Sequence, residues 1–210
     1  MASEKAVDIE KRSMEVIEEE VGKHDFDELQ WIIVRRVIHA TADFDFAKHN
    51  RMIFHRDSIS SALQAIKNKC ALVCDSDIVL AGLNKKNLYD FRIKTICYIS
   101  DPAIANEAKR VNKTRAEVSM RKAASDINNG IVAIGNAPTA LYEVIKMVRE
   151  NAVKPALIIG IPVGFVSSVE AKEELVSVNI PYITNIGRKG GSTVAASIIN
   201  ALFSIYRDKS

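Results

Sequence analysis

From residue 71 onward the chain alternates short apolar runs with stretches of helical periodicity, and this alternation constrains its fold more than any other feature. The runs at 71–74, 95–99, 131–134, 156–159 and 182–184 are largely apolar on successive residues rather than on every second one. A strand of that kind needs cover on both faces, and helices between consecutive strands provide it. The pattern predicts an α/β protein with a doubly wound, mostly parallel sheet of about five strands and helices on both faces. Ahead of it, apolar residues at helical spacing predict helices over 7–21 and 27–40, the second capped by Asp25 or Asp27, and a long helix over 192–206 closes the chain. With 210 residues, 48% of them hydrophobic, there is apolar side chain for one sizeable core, so 1–210 is expected to form a single domain.

No run approaches the ~18 apolar residues of a membrane-spanning helix, and residues 1–20 are too charged for a secretory leader. A cytoplasmic protein without a membrane partner is expected. Cys70, Cys74 and Cys97 lie in or beside apolar runs, with neither a disulfide framework nor zinc spacing. They read as buried thiols, and no metal or cofactor is implied. The net charge of +3 conceals an asymmetry: residues 1–30 hold ten acidic and four basic side chains, leaving 25 basic and 16 acidic beyond. Because the cations are scattered and only 6% of residues are aromatic, the surplus suits a small anionic ligand better than nucleic acid.

Several predicted strands end abruptly in turn residues: Cys74 runs into Asp75, Ile134 into Gly135-Asn136-Ala137-Pro138, and Ile159 into Gly160-Ile161-Pro162-Val163-Gly164. In an open parallel sheet such turns gather at the carboxyl edge, where α/β proteins bind ligands. Within Gly135-Asn136-Ala137-Pro138-Thr139, Pro138 presets a helix start whose exposed amides suit a carboxylate, although a ligand-free β-to-α turn uses the same residues. Gly187-Arg188-Lys189-Gly190-Gly191-Ser192-Thr193 is either an anion cradle or a solvated basic loop. It lacks phosphate-loop spacing, and no Gly-x-Gly-x-x-Gly occurs anywhere. Of His24, His39, His49 and His55, none has metal-site spacing. His39, near the end of the second helix and close to Arg36, is a candidate for proton transfer, although a lone histidine in a helix is more often a structural or surface group; Asp43 and Asp45 alternate with Phe44 and Phe46 either as an ordinary surface-and-core pattern or as carboxylates that orient His39.

Six segments together resemble one family, the precorrin-8X and cobalt-precorrin-8 methylmutases, over about residues 9–202. They are Arg12-Ser13, Arg36-Val37-Ile38-His39-Ala40-Thr41, Thr114-Arg115, Gly135-Asn136-Ala137-Pro138-Thr139-Ala140-Leu141, Pro162-Val163-Gly164-Phe165-Val166 and Gly187-Arg188-Lys189-Gly190-Gly191-Ser192. The resemblance implies a homodimeric isomerase of cobalamin biosynthesis that binds a carboxylate-rich tetrapyrrole, metal-free or cobalt-bearing, and moves a methyl group from C11 to C12 without a cofactor. It places the catalytic acid at His39, where protonation of a ring nitrogen allows a 1,5-sigmatropic shift, and substrate contacts at Ser13 and Arg36. Arg115, Asn136, Arg188 and Lys189 are further candidates for holding the carboxylate arms. The chain departs from the family pattern at Ala42 and Ser167, where glycine is usual, at Ala171, where serine is usual, and at Ile186, where arginine is common. Two other expectations compete: a non-catalytic corrinoid carrier, and an α/β enzyme that binds a phosphorylated metabolite at the Gly135 turn.

Overall fold

The computed structural model describes residues 4–49 and 51–209. Helices α1 (Glu4–Val21) and α2 (Glu28–Thr41) precede strand β1 (Met52–Phe54) and helix α3 (Ser58–Lys67). Then come β2 (Leu72–Cys74), α4 (Asp77–Ala81), α5 (Lys85–Asp90), β3 (Thr95–Ile96), α6 (Pro102–Arg110), α7 (Arg115–Lys122) and α8 (Ala124–Ile127). The chain continues through β4 (Ile131–Ile134), α9 (Pro138–Arg149), β5 (Leu157–Gly160), α10 (Ser168–Val176), β6 (Tyr182–Asn185) and α11 (Ser192–Asp208). Asp27, rather than Asp25, caps α2. Its carboxylate accepts from the Gln30 amide at 2.8 Å while the Gln30 side chain accepts from the Asp27 amide, a reciprocal capping box.

The strands form one sheet in the order β1-β6-β5-β4-β2-β3. All neighbours are parallel except β1, which runs antiparallel to β6 with Ile53 opposite Thr184. The sheet thus has six strands, one more than the apolar pattern predicts. β1 escapes that pattern because it is a three-residue edge strand whose partner lies about 130 residues away in the chain. β3 is also shorter than expected and stops at Ile96.

Alternate residues of each strand point to opposite faces, and the core divides accordingly. Leu72, Cys74, Ile131, Ala133, Leu157, Ile159 and Ile183 pack with residues of α2, α3 and α11. Val73, Val132, Ile134, Ile158 and Tyr182 pack with residues of α7, α9 and α10. This is the doubly wound arrangement that continuous apolar strands require. Of the three cysteines, all free thiols, Cys74 is buried and the other two are half-buried. Among the described residues no helix is long and apolar enough to cross a membrane.

Ala42, at the end of α2, and Ser167, before α10, both adopt left-handed backbone with φ of 53° and 62°. A side chain in that region costs about 1–2 kcal/mol relative to glycine. The two positions where glycine is usual in the resembled family are therefore positions where this backbone suits glycine.

Candidate active site

β2 and β4 are neighbours whose onward connections leave in opposite directions, one to β3 and the other to β5. The crevice beyond their carboxyl ends is where a doubly wound sheet ordinarily takes its ligand. Here the chain fills it. The buried Asp75 carboxylate accepts from the amides of Gly135 at 3.1 Å, Asn136 at 2.8 Å and Ala137 at 2.7 Å. Those are the amides that the sequence leaves open either to an external anion or to a ligand-free turn, and the anion that takes them is the protein's own. Burial holds the Asp75 carboxyl above its usual range, the three amide donors offsetting only part of that rise. The start of α11 closes the crevice further. A Cβ on Gly135 would lie 2.7 Å from the Ser192 Cα, so only glycine lets the two segments touch, and the hydroxyls of Ser76 and Ser192 are 3.1 Å apart.

An open cleft of about 690 Å³ lies beside this plug, lined along α11 from Thr193 to Arg207 and flanked by α2 on one side and by α4 and α5 on the other. Its volume is in the range of small-molecule sites. Arg36 and His39 line it from α2, and Glu10 lines it from α1. His39 is exposed in the last turn of its helix, where the dipole favours a cation. Among the described residues, none hydrogen-bonds its ring. Arg36 donates to the Glu10 carboxylate at 2.7 Å. Ser13 lies one turn beyond Glu10 on α1, half-buried, with its hydroxyl turned back to donate to the Ile9 carbonyl at 2.8 Å.

Neither Ser13 nor the remaining sequence-derived candidates line this cleft. Asn136 is exposed in the β4–α9 turn. Arg115 is exposed at the start of α7, where the Thr114 hydroxyl donates to Thr139 of α9 at 3.1 Å. Arg188 is exposed, its guanidinium 5.8 Å from the Phe165 ring. Lys189 is engaged by its own chain: its ammonium donates to both Asp43 oxygens, at 2.9 and 2.7 Å, and to Asp45 at 2.7 Å. Asp43 and Asp45 thus hold Lys189 and do not orient His39.

The 187–191 loop is neither a bare cradle nor a solvated run. Beneath it the buried Lys172 ammonium donates to the carbonyls of Gly187 at 2.8 Å and Lys189 at 2.6 Å. A Cβ on Gly190 would fall 2.3 Å from the Ile161 carbonyl oxygen, and its φ of +153° also favours glycine. Burial pushes the Lys172 ammonium down from 10.5 to about 8. Between those two values the unfolded chain binds more protons than the folded one, so the penalty of burying this charge, complete below about pH 8, is relieved as the pH rises. Unfolding free energies measured at pH 7 and pH 10 should therefore move in favour of wild type over Lys172→Met by on the order of 2 kcal/mol. A difference that stays level across that interval would show that the buried ammonium carries no penalty.

Asp75, Lys172, Glu10 and Arg207 were not singled out by sequence reasoning. Arg207 alone had a usable signal, since it continues the spacing of Thr193, Ser197, Asn200 and Ser204 along one helix face. The other three depend on contacts between distant segments.

Known proteins decide the family. The family model CbiC, precorrin-8X methylmutase, matches residues 8–205. The chain belongs to the precorrin-8X methylmutase family. It is 48% identical over 202 residues to the cobalt-precorrin-8 methylmutase of Leptospira interrogans, covering 92% of this chain and 91% of that protein. It is 33% identical over 196 residues to the precorrin-8X methylmutase of a Sinorhizobium species, covering 92% of each. The crystal structure of the precorrin-8X methylmutase from Thermus thermophilus superposes with a TM-score of 0.90 at 35% identity, over 96% of each chain. As a methylmutase the protein is an isomerase of cobalamin biosynthesis.

Proposed function

We propose that the protein converts precorrin-8 or its cobalt-bearing form into hydrogenobyrinate or cobyrinate by moving one methyl group from C11 to C12. Relatives are named for both forms: precorrin-8X methylmutase in a Sinorhizobium species, and cobalt-precorrin-8 methylmutase in Leptospira interrogans and Priestia megaterium, the last 49% identical over 95% of this chain and 88% of that protein. The observation that carries the reading is the cleft beside α11, where the His39 imidazole, without a hydrogen-bond partner among the described residues, stands with Arg36 on one helix wall.

His39 is the general acid in this reading. Its imidazolium gives a proton to a ring nitrogen, the bond from C11 to the methyl carbon breaks as the bond to C12 forms, and the proton returns to the imidazole. Atoms and electrons balance within the substrate, so the residues have only to bind, orient and time one proton. Arg36 and Ser13 hold the carboxylate-bearing rim, Arg36 exchanging Glu10 for a substrate carboxylate, while Arg115, Asn136 and Arg188 serve arms that extend past the cleft. Lys189 has a different part, fixing the 187–191 loop to Asp43 and Asp45. The free thiols fit a reducing compartment such as the cytoplasm.

A homodimer belongs to the same proposal. The cleft is open, and apolar side chains stand exposed beside the carboxyl edge, with Phe165 86% and Val166 81% accessible. Incubation with metal-free and cobalt-bearing substrate, followed by absorbance, tests the reaction and identifies the preferred form. Light scattering at assay concentration tests the assembly, and a fully active monomer would overturn it.

A further inference from the structure

The floor of the cleft is one face of α11, and from Thr193 to Arg207 at 1.5 Å per residue it runs roughly 21 Å. Most polar groups along it are already spent. Asn200 accepts from the Asn84 amide and donates to the Gly82 carbonyl, each at 2.9 Å. The Asn84 side chain caps α5 by accepting from the Asn87 amide at 3.1 Å. Arg36 has Glu10.

Arg207 is different. Its guanidinium is exposed and lines the cleft, donating one hydrogen bond to the Oδ1 of the buried Asn87 and lying 5.9 Å from the Phe91 ring. Among the described residues no carboxylate pairs with it. A guanidinium has five donors in a planar fork, so a neutral amide and an aromatic ring orient this one without a carboxylate to compensate its charge. Such a group matches a carboxylate gripped through two parallel hydrogen bonds.

We infer that Arg207 is a second carboxylate-binding residue of the cleft, engaging a peripheral acid arm of the tetrapyrrole that Arg36 does not reach. The inference rests on the methylmutase reading above.

Steady-state kinetics with precorrin-8 and its cobalt form test this in wild type, Arg207→Met, Arg207→Lys and Lys209→Met, the last removing the same charge from an exposed residue two positions on. Arg207→Met should raise KM on the order of tenfold and change kcat by less than about twofold, with KM less steeply dependent on salt than in wild type. Arg207→Lys should fall between, as a point charge without the fork, and Lys209→Met should match wild type. A helix-stabilising role for Arg207 predicts instead a lower thermal midpoint with unmoved KM, and that result overturns the inference. So does an equal rise in KM for Lys209→Met, which would make the effect one of overall charge. Wild type that turns over neither substrate sinks the methylmutase reading as well, whereas normal wild-type turnover with an unmoved KM in Arg207→Met sinks this inference alone.

Discussion

Replacing His39 with asparagine should abolish methyl migration while leaving product binding nearly intact. A positioned proton donor contributes about 10²–10⁴ in rate, and the loss should reach or exceed that range if one proton enables the entire rearrangement. The structure makes this a clean substitution. His39 is exposed, outside the core clusters, and unbonded at its ring among the described residues, so the fold does not depend on it. Asparagine keeps a hydrogen-bonding group on the cleft wall but has no proton to give near neutral pH. Absorbance assays of turnover, paired with calorimetric titration of product into His39→Asn and His39→Ala, separate the acid from a merely positioning group. Near-normal turnover in either variant would make His39 structural and send the search for the acid elsewhere along the cleft.

Asp75→Asn is expected to be the most destabilising conservative change in the protein, although it alters neither size nor hydrophobicity. The three amides of Gly135, Asn136 and Ala137 all converge on the two carboxylate oxygens. An asparagine offers one acceptor and sets its own N–H groups against the remaining donors. Leaving a buried donor unsatisfied costs about 1–3 kcal/mol, so a loss of about 3 kcal/mol is expected, which in a chain of this length lowers the thermal midpoint by roughly 6–12 °C. Asp75→Ala should cost at least as much. Scanning calorimetry decides it, and an asparagine variant within about 2 °C of wild type would mean that the turn draws its hydrogen bonds from elsewhere. Because the same turn abuts Ser192 at the start of α11, loosening it should also weaken substrate binding in the neighbouring cleft.

Most of the fold was legible in the chain. Apolar continuity at 131–134 and 157–160 is a local property that burial on two faces imposes directly on composition, and helical spacing in α2 and α11 is likewise imposed by one buried face. The cap at Asp27 and the helix start at Pro138 are set by neighbours within a few residues. β1 was not legible, because three residues pairing with a strand near the other end of the chain carry no local period.

The site divides along the same physical line. Sequence alone determined that the glycine-rich turns would meet at one edge of a parallel sheet and, through likeness to a family, that His39 and Arg36 would stand together. Only tertiary structure decided which charges remain available there. Asp75 reaches amides about 60 residues away, and Lys189 reaches Asp43 across 146. A carboxylate or an ammonium looks the same in a sequence whether its partner is a substrate or its own chain. Which partner it takes depends on distances of a few ångströms between segments that only the folded sheet brings together.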